Sequence, residues 1–421
     1  MTSSLGWVDF SSEHREKVKS VIDLLSTPGV IDELGIGAIR DAFSDSLFPG
    51  LSTIQTRATY FLSVPRIFKD YEKLPTSKRL KKKLSEYLNE HENQCMSAMV
   101  NNHQDDRQNG IIGESFANKQ GEVQRKPSSV YWSGIRQFGL IKTTLSLEAF
   151  SRRFANPDQP LLDLVQGSDK TKGDDPDASE QINATINGSS YQDNWIEDLR
   201  VYLSKDEASF LSRQIEARVP NSLLGQILLD PAVRRAFLDL PGNWSFSEFA
   251  EEAPFLHKFP KDLQRIIHAA RDFWHLMYGA HIRYNCLLQA RHGTRDRQAE
   301  FDRLWNDWIG GLDSFQWDRW ETDFLWKLTE SHNTRVHEYT VHFVKSWIEG
   351  VRARADISLL DKLVERQERS NKKSRARLHP SANESVSDWV GIRDLNYRLN
   401  VARLIVNDID HGLTSMGGDD A

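Results

Sequence analysis

The sequence predicts a mainly α-helical, multi-helical protein: an N-terminal helix-turn-helix or winged-helix-like domain followed by a larger C-terminal helical domain. Three observations lead there. Apolar residues recur every three to four positions through most of the chain, the period of a helix with one buried face. Ser followed three residues later by Gln or Glu, the capping-box pattern, opens two of these runs, at Ser52–Gln55 and Ser204–Glu207. Pro and Gly fall at the ends of the runs, where a helix stops or turns.

The 421 residues suffice for two or three domains, and 39% hydrophobic with 27% charged residues is a globular composition on the polar side. No apolar run approaches the ~18 residues of a membrane span, and MTSSLGWVDF lacks the pattern of a secretory leader. A cytoplasmic protein without membrane partners is expected. Cys95 and Cys286 are too few for a disulfide framework or a thiolate zinc site. The net charge of −6 is unevenly spread. Residues 1–155 carry 21 basic and 18 acidic side chains, 156–257 carry 8 and 18, and 258–421 carry 25 and 24. Acidity is confined to the middle of the chain.

In order, the first helix is expected within Trp7–Leu25, with Val18, Val21, Ile22 and Leu25 on one face and Pro28-Gly29 as its stop. Ile36, Ile39, Phe43 and Leu47 then mark a second helix, with Arg40 on its other side. After Phe48-Pro49-Gly50, a third helix is predicted to start at Ser52, burying Ile54, Ala58, Phe61 and Leu62 and turning Gln55, Arg57 and Arg66 outward, with Pro65 ending or kinking it. This helix, turn and arginine-bearing helix form the helix-turn-helix pattern. A long helix capped by Thr76 or Ser77 should run to Asn101, opening with Lys78, Arg79, Lys81, Lys82 and Lys83. Such a run is ordinarily a solvated face; a phosphate contact is the functional alternative.

Ser128 to Arg153 reads as helix, Gly139 stop, a brief extended piece and another helix with Phe150, a winged-helix-like order. Residues 155–192 are polar, acidic and short of apolar side chains, and are expected to be a linker between domains 1–154 and 193–421. Beyond it, Ser204 caps a helix that Pro220 breaks, and Trp244, Phe246, Phe249 and Phe255 fill the next core. Lys261 to Arg291 is the most periodic stretch. Its polar stripe of Gln264, His268, Arg271, Asp272 and His275 raises a metal site, but zinc-binding helices place two His four apart, and these two are seven apart. A paired polar stripe in a helical interior is the plainer reading. Residues 301–350 hold half of the twelve Trp, with Trp317, Trp320 and Phe324 spaced as a buried helical stripe. A basic loop at 366–384 and a final helix burying Leu395, Val401, Leu404 and Ile405 complete the chain.

Together and in this order, GWVDFS, ELGIGAIRDAFSDSLFPGLSTIQTRATYFL, PSSVYWSGIRQFGL, HAARDFWHLMYGAHIRYN and LNYRLNVARLIVNDI resemble an uncharacterised bacterial domain-of-unknown-function family. The resemblance runs from Trp7 to about Ile409. It brings no catalytic residues and no cofactor, and it implies an association with antiphage or restriction gene clusters. The acidic linker here is longer than those motifs require. The functional expectation is a non-enzymatic DNA-interacting or adaptor subunit of a bacterial defence or DNA-processing system. Its partners would be double-stranded DNA or other subunits of a defence complex. The candidate DNA-contacting residues are Arg40, Gln55, Arg57, Arg66, Lys78, Arg79, Lys81, Lys82 and Lys83. A scaffold for a partner ATPase or nuclease is the alternative, and a metal-dependent nuclease using His268, Asp272 and His275 a further one.

Overall fold

A computed structural model describes residues 32–104, 110–114, 125–154, 186–188, 190–379 and 388–415. The helix expected within Trp7–Leu25 and most of the 155–192 linker lie outside these residues. The protein is mainly α-helical. Its helices are α1 (Gly37–Leu47), α2 (Tyr60–Lys73), α3 (Thr76–Arg79), α4 (Leu84–Asn101), α5 (Pro127–Gln137), α6 (Leu147–Phe154), α7 (Lys205–Arg218) and α8 (Leu223–Leu229). Then follow α9 (Pro231–Leu238), α10 (Phe246–Glu252), α11 (Lys261–His292), α12 (Arg295–Gly311), α13 (Thr322–Ser331), α14 (Glu338–Arg352), α15 (Ile357–Lys372) and α16 (Leu399–Thr414). The described residues contain no strand, only an isolated antiparallel bridge between Ile141 and Ile186. A wing needs a hairpin, so the winged-helix expectation finds no support.

Two compact units divide the chain, and they do not follow the expected boundaries at 154 and 193. One joins the described residues up to Phe43 with Ile267–Leu395; the other joins those from Ser44 to Ile266 with those from Asn396 onward. Each unit is assembled from distant stretches of sequence.

In the first unit, the carboxylate of Asp32 accepts from the backbone N–H groups of Ile36 and Gly37 at 3.0 and 2.6 Å, capping the start of α1. Glu33 is buried and paired with Lys372 at 3.2 Å, while Gln367 and Asn371 of α15 donate to the carbonyls of Leu34 and Asp32. Tryptophans knit α11 to α12 and α14. Trp308 and Trp347 donate to the carbonyls of His275 and Leu276, and Trp308 lies where a Cβ on Gly279 would stand, 2.2 Å away. Trp317 and Trp320 are not on a helical stripe as expected. They occupy a 3-10 turn and loop before α13 and are half-buried.

In the second unit, α2 packs through Phe61 and Phe68 against the rings of Tyr131, Phe138, Trp132, Phe150 and Phe154. Helix α16 lies on α7, where Gly412 lets its backbone approach Ala208 and Leu203. The capping box on α7 forms as the sequence indicates, with Ser204 and Glu207 satisfying each other's backbone N–H. Gly139 closes α5 with φ +67°. Leu404, expected in the core, is 50% exposed.

Candidate functional site

The helix predicted from Ser52 does not form; α2 begins eight residues later, at Tyr60. The reason is tertiary. The hydroxyl of Tyr131 on α5 accepts from the N–H groups of Thr56 and Arg57 at 2.8 and 2.9 Å, and Asp408 on α16 accepts from the N–H of Ala58 at 2.8 Å. Backbone donors that an early helix would satisfy internally are satisfied by side chains from elsewhere. Half of the Ser52 box survives, since Gln55 Oε1 accepts from Ser52 N at 3.2 Å, but the Ser52 hydroxyl is buried and makes no hydrogen bond. The helix then runs through Pro65 to Lys73 instead of ending there.

This displacement turns the proposed DNA-reading residues inward. Gln55 is 2% exposed and donates to the carbonyls of Gly50 and Val130. Arg57 pairs with the buried carboxylate of Asp408 at 2.8 Å. Arg66, 6% exposed, pairs with Glu207 at 2.5 Å and sits against the rings of Tyr191 and Trp195, 5.3 and 5.6 Å from their centroids. Those rings are fixed to the outer side of α2 by Asp70, which accepts from Tyr191 Oη at 2.9 Å and Trp195 Nε1 at 2.7 Å. A groove reader needs free, outward side chains. Gln55, Arg57 and Arg66 are instead engaged within the fold, and the helix-turn-helix expectation is not confirmed. Arg40, on α1 in the first unit, is held by its neighbour Asp41 at 2.9 Å.

The basic run behaves differently. The expected continuous helix from Thr76 to Asn101 is split into α3 and α4, because Tyr71 Oη reaches the carbonyls of Arg79 and Lys82 at 3.4 and 3.1 Å and holds a turn between them. Lys78, Lys81 and Lys83 are exposed on this turn; Arg79 and Lys82 are half-buried, and Lys82 pairs with Glu90. Leu80 is 73% exposed among them. Lys69 and Lys73, on the adjoining end of α2, lie over the Tyr191 ring at 5.9 and 4.6 Å.

The polar stripe of α11 is consumed by its surroundings. Arg271 donates twice to Asp272, at 2.8 and 2.6 Å. His275 stacks flat on Phe315, with centroids 5.6 Å apart. Burial holds the imidazole of His268 below its ordinary range. Among the described residues no group of three or more His, Cys, Asp or Glu could hold a metal ion. Both cysteines are free and buried, and burial raises both thiols above their usual range.

Asp408 and Tyr131, which organise the start of α2, were not singled out for that role by the sequence, and no local pattern could have assigned it. Their partners lie 350 and about 75 residues away. No helix among the described residues is long and apolar enough to cross a membrane. No curated protein and no solved structure matches the chain. Residues 2–158, which hold the first three of the sequence motifs, match the model of a family of unknown function, DUF6361.

Proposed function

We propose that this protein is a non-enzymatic DNA-interacting subunit that touches the phosphate backbone of double-stranded DNA through the turn at Lys78–Lys83. One observation carries the reading. Of the basic residues singled out in the second unit, this run alone keeps exposed cations, at Lys78, Lys81 and Lys83 on a turn anchored by Tyr71. Backbone contact of this kind is indifferent to base sequence. A role in a bacterial defence or DNA-processing system rests on the family resemblance alone. The nuclease reading loses support, because Asp272 and His275 are engaged by Arg271 and Phe315.

The test is fluorescence anisotropy of a labelled DNA duplex against the full chain over a salt series. Three phosphate contacts predict a log–log slope of about −3. Charge reversal by K78E, K81E and K83E together, all at exposed positions, should abolish binding. Failure of the wild-type chain to bind at low salt, or binding that survives the triple reversal, rejects the proposal.

A further inference from the structure

Helices α14 and α15 form a hairpin joined by residues 353–356, and a groove of 510 Å³ runs between them. From α14 it is lined by Tyr339, His342 and Phe343, and from α15 by Leu363, Arg366 and Ser370. The spacing on each helix brings residues of successive turns to the same face. One helical turn before Leu363, Leu359 extends the apolar strip and is 54% exposed. Beside that strip Lys362, Arg366 and Arg369 stand at i, i+4 and i+7, a basic row about 10 Å long at ~1.5 Å per residue. All three are exposed; Arg369 shares Glu365 at 3.7 Å, whereas Lys362 and Arg366 form no salt bridge among the described residues. The opposite rim carries Glu338, 3.7 Å from His342.

We infer that this groove docks an acidic amphipathic helix of a partner protein. The apolar strip takes anchors spaced i, i+3, i+4 and i+7, the usual repeat of a helix lying in a groove. The basic row faces the partner's Glu and Asp side chains. Charge complementarity selects an acidic partner over a basic one. The apolar floor selects a peptide over a nucleic acid, whose phosphates would leave Leu359 and Leu363 unused. This surface belongs to the first unit and does not depend on the Lys78–Lys83 turn.

The experiment measures anisotropy of labelled amphipathic peptides with the full chain. Two peptides carry Leu at the same i, i+3, i+4 and i+7 positions, one with Glu and one with Lys on the polar face. A third keeps the Glu residues but replaces each Leu by Ser. The Glu/Leu peptide is expected to bind at least tenfold tighter than either control. R366E and L359S, both at exposed positions that spare the fold, should each weaken it severalfold. Equal binding of the Glu/Leu and Lys/Leu peptides overturns the inference, as does binding unaffected by both substitutions. Duplex DNA binding that requires Arg366 but not Leu359 would assign the surface to phosphate and overturn it too.

Discussion

At the scale of single residues, the buried charges carry the largest consequences. Arg57 and Asp408 are 13% and 5% exposed, and Asp408 also accepts from Ala58 N. Burial pushes this carboxyl up while Arg57 opposes the shift. Arg57→Ala strands the acid, so unfolding in urea should show a loss of roughly 3–5 kcal/mol. Replacing both partners with apolar residues of similar size should cost less than that single change. Glu92 supplies a second test. It is 4% exposed, accepts from Ser128 N at 2.5 Å, and its other carboxyl oxygen is buried without a hydrogen bond. Burial raises this carboxyl from 4.5 to about 7, against the opposing pull of the Ser128 hydrogen bonds and Lys126. The folded chain therefore keeps a proton that the unfolded chain has released. Its contribution is fully present below pH 4.5, declines as pH rises through about 7, and amounts to about 3 kcal/mol at ~1.4 kcal/mol per pH unit. In urea titrations at several pH values, Glu92→Gln should flatten this part of the stability profile. An unchanged slope would show that Glu92 is not its source.

At the scale of elements, the two capping boxes read from the sequence met different fates. Ser204 caps α7 with both reciprocal bonds in place. Ser52 heads no helix, and its hydroxyl is unbonded. Ser204→Ala should therefore cost about 1 kcal/mol, whereas Ser52→Ala should lie within ~0.5 kcal/mol of wild type or stabilise slightly, by removing a buried unsatisfied hydroxyl. Thermal melts of the two variants side by side decide this; equal losses would mean Ser52 caps after all. Helix ends are served from afar elsewhere too. Arg403 on α16 donates to the carbonyls of Leu238, Leu240 and Pro241, which closes the C-terminal end of α9.

At the scale of the molecule, the second unit is closed by its last helix. Arg57, Arg234 and Arg398 pair with Asp408, Asp410 and Asp45, each joining the α16 region to residues before 266. The family match ends at residue 158, but Arg57 and Arg66 within it take their partners from Asp408 and Glu207. A chain cut after residue 158 should thus lose cooperative unfolding. Circular dichroism melts and limited proteolysis of the fragment test this, and a sharp transition would show that the matched segment folds alone.

By itself the sequence determined the helical class, the long α11, the capped start of α7 and the Gly139 stop. These depend on a repeat near 3.6 residues and on contacts a few positions apart, which a linear pattern records. Tertiary structure alone decided where α2 starts, which way Gln55, Arg57 and Arg66 point, and how the units divide. Each turns on a hydrogen bond or ion pair between residues far apart in the chain, such as Ala58 with Asp408. Helical spacing tells which residues leave the local buried stripe; it does not tell whether water or another helix meets them there. For Lys78, Lys81 and Lys83 the answer is water, and for Arg57 and Arg66 it is a carboxylate.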